Sequence, residues 1–216
     1  MQAKFTPLCL DAPGHGNNIN GARSLPQCAE DIAASLKTGI LVGYSMGARM
    51  ALHVALLYPE LVAQLVLISG TPGLKTESER TNRIQNDNEL ADRIESIGTP
   101  AFIDEWLALP IFSGLSNETN QRNDRLRNTA KGLSDSLRFA GTGTQEPQWV
   151  HLHQLSMPVH LIVGEHDQKF TAIAEEMKPL ISTSEMTVVS NSGHTVHLEN
   201  PTATGQLLDS IILRND

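Results

Sequence analysis

Gly43, Tyr44, Ser45, Met46 and Gly47 set a serine in the middle of a G-x-S-x-G pattern. The apolar run TGILVGYS leads into it, and SMGARMALHVALLYPE, with helical spacing and Pro59 as a stop, leads out. A strand, a sharp turn and a helix in that order push a serine hydroxyl into the open in a strained conformation. The tightness of the reversal predicts that a side chain at either glycine would collide. The serine then sits at a helix N-terminus, where free N–H groups favour negative charge, which makes the Met46 amide an oxyanion donor.

A serine hydroxyl is a weak nucleophile or base until a histidine takes its proton and a carboxylate fixes that histidine's tautomer. Asp167 closes LIVGEHD and His194 lies in SNSGHTVHLENP, giving the chain order Ser, Asp, His. Glu165 is an alternative acid, and His166 and His197 are alternative bases. Arg49, four residues after Ser45, shares a helix face with it. It is either a cation leaning toward the site or a surface arginine in a stretched ion pair. Arg83 and Arg127 fall in solvated, arginine-rich stretches, and Trp106 in DEWLALPIF reads first as a packing anchor.

These residues need a frame. Five runs, PLCLDAPG, TGILVGYS, AQLVLISG, PVHLIVGE and EMTVVSNSG, read as buried parallel strands ending in turn residues. Carboxyl ends of such strands share one crevice, which is where Ser45, Asp167 and His194 fall. Residues 75 to about 150 are rich in Arg, Asn, Asp and Glu, contain helical stretches such as ESERTNRIQNDNELADRIES, and lack a strand pattern. They predict a helical insertion over the sheet. The alternation resumes after Met157 and Pro158 and ends in a helix near PTATGQLLDSIILR. Residues 1–216 therefore read as a single α/β domain with a largely parallel sheet.

A net charge of −8 offers no basic face for nucleic acid or anionic lipid, while leaving room for a few arginines in a pocket that takes an acidic small molecule. Cys9 and Cys28 have no metal-ligand spacing and read as buried or semi-buried thiols of a reducing compartment. The opening MQAKFTPLCL is too short for a signal segment, no run reaches membrane-spanning length, and a cytoplasmic location is expected. The composition is silent on oligomeric state.

Several segments carry a resemblance: LDAPGHG, VGYSMGAR, SGTPGLKTESER, DEWLALPIF, LRN at 126–128, AGTGTQEPQW and GEHDQKF. Together they resemble the 2-succinyl-6-hydroxy-2,4-cyclohexadiene-1-carboxylate synthases, α/β-hydrolase-fold lyases of menaquinone biosynthesis, over essentially the whole chain. The resemblance implies elimination of pyruvate from an enolpyruvyl cyclohexene, with no metal or organic cofactor. Ser45, His194 and Asp167 then form the base. Arg49, Arg83 and Arg127 bind carboxylates, and Tyr44 and Trp106 line the pocket. Arginine suits such a substrate because its planar fork matches a carboxylate. Two other readings stay open: an esterase or carbon–carbon bond hydrolase on the same fold, and a catalytically silent fragment.

The resemblance also implies earlier strands, one carrying a His-Gly-Phe or His-Gly-Leu loop with a second oxyanion donor, and this sequence starts after that loop. That strand would lie between the one ending at Asp11 and the one ending before Ser45. Its loss predicts unpaired backbone groups on both neighbours, at about 1 to 3 kcal/mol for each one buried. Met1 is therefore expected to be an internal methionine. An in-frame His-Gly-aromatic segment in the upstream DNA is the corresponding check.

Overall fold

The computed structural model describes residues 7–213. Four strands, β1 (Gly39–Tyr44), β2 (Val62–Ile68), β3 (Val159–Gly164) and β4 (Ser184–Val189), form one parallel sheet in the order β1-β2-β3-β4. Their sequences explain the order. β2 and β3 are almost wholly apolar and buried, as strands covered on both faces must be, whereas β1 and β4 are partly exposed. Helix α1 (Leu25–Ser35) packs on α2 (Met46–Leu57), which crosses from β1 to β2. α6 (Gln168–Met177) follows β3, and α7 (Val196–Glu199) and α8 (Pro201–Leu213) close the chain. One face of the sheet buries Leu65, Leu67, Leu161 and Val163 against α2 and α6; the other buries Val66, Ile68 and Ile162 with Val196 and Ile211.

The insertion is helical, as its composition predicts. α3 (Glu77–Leu107) starts at a capping box in which the Thr76 hydroxyl accepts the Glu79 N–H. It breaks at Gly98, φ 77°, two residues before Pro100, whose ring cannot continue the preceding hydrogen-bond ladder. α4 (Arg122–Arg125) and α5 (Ala130–Ala140) complete the layer. A small core of Ile94, Phe102, Ile103 and Leu133, with Trp106 packed on it, holds this lid together.

Three expectations need correction. PLCLDAPG is not a strand in its described part. Residues 7–11 are exposed, and among the described residues β1 pairs only with β2, at the edge of the sheet. A strand needs a ladder partner at about 4.8 Å, and no described residues supply one here. For the same reason the unpaired groups expected along this side lie at a partly solvent-exposed edge, where water can satisfy them, and Val42 of β1 is 44% exposed. Finally, Cys9 is exposed rather than semi-buried; Cys28 is buried, which raises its thiol pKa to about 11.

Candidate active site

The turn after β1 is as sharp as the sequence requires. Ser45 adopts φ 49°, ψ −106°, and its N–H donates to the Ile68 carbonyl at 2.9 Å, anchoring the turn to β2. A Cβ on Gly43 would overlap the Gly47 carbonyl oxygen, so this glycine is obligatory. A Cβ on Gly47 would meet nothing within 4 Å, which corrects the expectation that both glycines are sterically required. The turn folds back over the glycine two residues before the serine and opens on the glycine two residues after it. Met46 begins α2, so its N–H is one of the helix's free donors on the Ser45 side.

His194 Nε2 lies 3.0 Å from Ser45 Oγ, and His194 Nδ1 lies 2.8 Å from Asp167 Oδ2. Asp167 and His194 are both buried. Asp167 is held in turn at the start of α6, where its Oδ1 accepts the Phe170 N–H at 3.3 Å. The alternatives sit elsewhere. Glu165 and His166 are exposed, with Glu165 accepting the Asn191 N–H at 2.9 Å. The His197 ring packs at a tilt against Tyr44, ring centroids 4.5 Å apart, and its Nδ1 has no hydrogen-bond partner among the described residues. Burial, then the nearby Arg125 and His194, lowers its pKa, so it is a neutral ring at neutral pH.

Aromatic packing fixes the imidazole. Phe170 lies 4.5 Å from the His194 ring and Tyr44 lies 5.4 Å from it. Burial raises the Tyr44 phenol pKa, Arg125 opposing, so it stays protonated. Sequence reasoning missed Phe170 as a contributor; its signal was its place three residues after Asp167 in GEHDQKF. Ser69, whose hydroxyl donates to the His194 carbonyl at 3.1 Å, left no recognisable signal.

The arginines divide. Arg49 is only 7% exposed and donates to the Ala140 carbonyl at 2.8 Å, so it is not a surface residue, and among the described residues it makes no salt bridge. Burial and the adjacent Arg83 lower its pKa to about 10, with Asp87 opposing. Arg83 Nε binds Asp87 Oδ1 at 2.8 Å, and the other oxygen of that buried carboxylate has no partner among the described residues. Two guanidinium groups thus converge where α2 meets the lid. Arg127 is not brought to them. Its side chain is half-exposed and pairs with Asp124 at 2.8 Å. Arg125, unremarked in the sequence, is half-buried over Phe112 at 5.5 Å, its Nε donating to the Asn120 carbonyl. Trp106 packs between Phe102 and Phe112, centroids 5.6 and 5.7 Å away.

Among the described residues no group of histidine, cysteine and carboxylate side chains has the makings of a metal site, and no helix is long and apolar enough to cross a membrane.

A parallel sheet carrying a strained serine at the end of one strand, an acid after another and a histidine after the last defines a class. The chain belongs to the alpha/beta hydrolase family, which it matches over residues 2–206. Within that class it belongs with the 2-succinyl-6-hydroxy-2,4-cyclohexadiene-1-carboxylate synthases. It is 40% identical over 208 residues to a Bacillus subtilis protein provisionally given that name, covering 94% of this chain and 76% of that one. It is 31% identical to the synthase of Enterobacter sp. (strain 638), covering 96% and 82% respectively. The solved structure of MenH from S. aureus superposes with a TM-score of 0.88 at 29% identity, over 93% of this chain and 80% of that one.

Proposed function

We propose that this chain is a lyase of menaquinone biosynthesis. It eliminates pyruvate from 2-succinyl-5-enolpyruvyl-6-hydroxy-3-cyclohexene-1-carboxylate to give 2-succinyl-6-hydroxy-2,4-cyclohexadiene-1-carboxylate. The observation that carries this reading is the Ser45–His194–Asp167 hydrogen-bonded chain lying under a lid that meets Arg49, buried and bonded to a backbone carbonyl, beside Arg83. A serine base serves any acidic proton, but a buried guanidinium beside a partly exposed one suits a substrate with several carboxylates.

The chemistry follows from the geometry. His194 takes the Ser45 hydroxyl proton, and Asp167 stabilises the imidazolium. The serine oxygen removes the ring proton next to the succinyl ketone. The electron pair moves through the ring double bond and expels the enolpyruvyl oxygen, which leaves as the enol form of pyruvate once protonated from the imidazolium. Negative charge gathers on the ketone oxygen on the way, where the Met46 N–H at the start of α2 stabilises it. Arg49 and Arg83 hold carboxylates. Arg127, which pairs with Asp124 at the surface, binds a further carboxylate only by exchanging that solvent-screened ion pair for substrate. Tyr44 and Trp106 line the cavity, and no step calls on a metal or organic cofactor.

The test is the intact mass of the protein during turnover. Elimination leaves Ser45 unmodified while pyruvate accumulates. An acyl adduct on Ser45 during turnover would replace this reading with ester or carbon–carbon bond hydrolysis.

A further inference from the structure

The histidine loop is held from behind by a carboxylate that touches none of the reacting groups. Glu199, at the end of α7, turns back toward the sheet, and each of its two oxygens takes a backbone N–H. Oε2 accepts from Gly193 at 2.7 Å; Oε1 accepts from Thr195 at 2.9 Å and also from the Thr195 hydroxyl at 2.7 Å. Gly193 and Thr195 are the two neighbours of His194 in the chain. The carboxylate therefore clamps the peptide on both sides of the histidine, while the Glu199 N–H closes the turn onto the Thr195 carbonyl at 3.0 Å. The third anchor is the Ser69 hydroxyl, which donates to the His194 carbonyl.

The same carboxylate meets the lid. Gly114 follows Phe112 at the end of the lid's aromatic cluster, and a Cβ on it would overlap Glu199 Oε2. The lid turn thus rests on the group that fixes the histidine. We infer that Glu199 is a positioning residue: it sets the His194 backbone for proton transfer from Ser45 and is the seat on which the lid turn at Gly114 closes. This rests on the catalytic role proposed for His194. Ionised carboxylates accept such bonds with about twice the strength of a neutral acceptor, and a displacement of about 1 Å in a catalytic group costs on the order of 100-fold in rate.

Three variants of the full chain test it: Glu199→Ala, Glu199→Gln and Gly114→Ala. Because Glu199 does not touch substrate, Glu199→Ala should lower kcat about 100-fold with KM within about twofold. Glu199→Gln keeps one accepting oxygen but turns an NH2 toward the other N–H, so it should fall between Glu199→Ala and wild type. Gly114→Ala pushes the carboxylate aside, so it should lower kcat on its own and add nothing in the Glu199→Ala background, a non-additivity that two independent sites would not show. In each impaired variant the downfield proton resonance of the His194–Asp167 bond should weaken, a readout that needs no substrate. If Glu199→Ala fails to fold, the other two single variants carry the test. A kcat within twofold of wild type, a loss confined to KM, or additive effects of Gly114→Ala and Glu199→Ala would overturn the inference. If wild type releases no pyruvate yet its downfield resonance is lost in the variants, the proposed reaction fails and the positioning role stands.

Discussion

Arg83 binds one oxygen of the buried Asp87 carboxylate and lies close enough to Arg49 to lower its pKa. In the proposed binding role, Arg83→Ala should remove a substrate contact without touching the base: KM is expected to rise about 10- to 100-fold, as for one charge-assisted hydrogen bond of about 1.5 to 3 kcal/mol, with kcat nearly unchanged. Initial-rate kinetics decide it, and a loss confined to kcat would remove Arg83 from the binding site. Residues with this kind of role differ in how readable they are. Ser45, Asp167 and His194 stand out because strand ends and chain order constrain them. Arg49 was readable only as a choice between two environments, since spacing puts it on the Ser45 face of the helix but burial depends on α5 lying over it. Phe170, Ser69 and Glu199 act through packing or backbone contacts that have no sequence pattern of their own. Arg127 shows the reverse: its motif is legible, but its exposed pair with Asp124 depends on the local path of α4.

The elements around the serine make a sharper claim about sequence than the motif does. Gly43→Ala should destabilise the protein by about 1 to 3 kcal/mol or more, because a Cβ there runs into backbone that cannot move without unwinding the start of α2. Gly47→Ala has open space and a helical position, so it should leave stability unchanged or raise it by up to about 1 kcal/mol. Thermal or urea unfolding of the two variants checks this; equal losses would mean the turn is not built as described. Four of the five strand runs and the helical insertion were legible from apolar runs and turn residues. The fifth run, PLCLDAPG, has a strand's composition but depends on a neighbouring strand for its ladder, and that dependence cannot be read from its own residues. α1 went unread although LPQCAEDIAAS is amphipathic and Ser24 and Gln27 form a capping box at its start.

At the scale of the molecule, burial disfavours the charged form of several histidines. His15, His53 and His197 all have pKa values lowered by it, so below their ordinary value of about 6.5 the unfolded chain binds protons that the folded chain refuses. Stability should therefore fall as pH drops from about 6.5 toward the lowered values, well before the exposed carboxylates of Glu95 and Asp104, held low by Arg138 and Arg122, take protons. Melting temperatures between pH 7.5 and 5.5 should show the decline, and His53→Gln should make it shallower; a flat profile would contradict the neutral, buried assignment. The proposed function stands on the strained serine, its histidine and its aspartate acting as a base that expels pyruvate from a polycarboxylate ring. Its most direct test is pyruvate release from the enolpyruvyl substrate by this chain and by Ser45→Ala. The expected result is pyruvate formed in step with the conjugated diene, and a loss of at least about a thousandfold in the variant. No pyruvate from the unaltered chain, or equal release by Ser45→Ala, would contradict it.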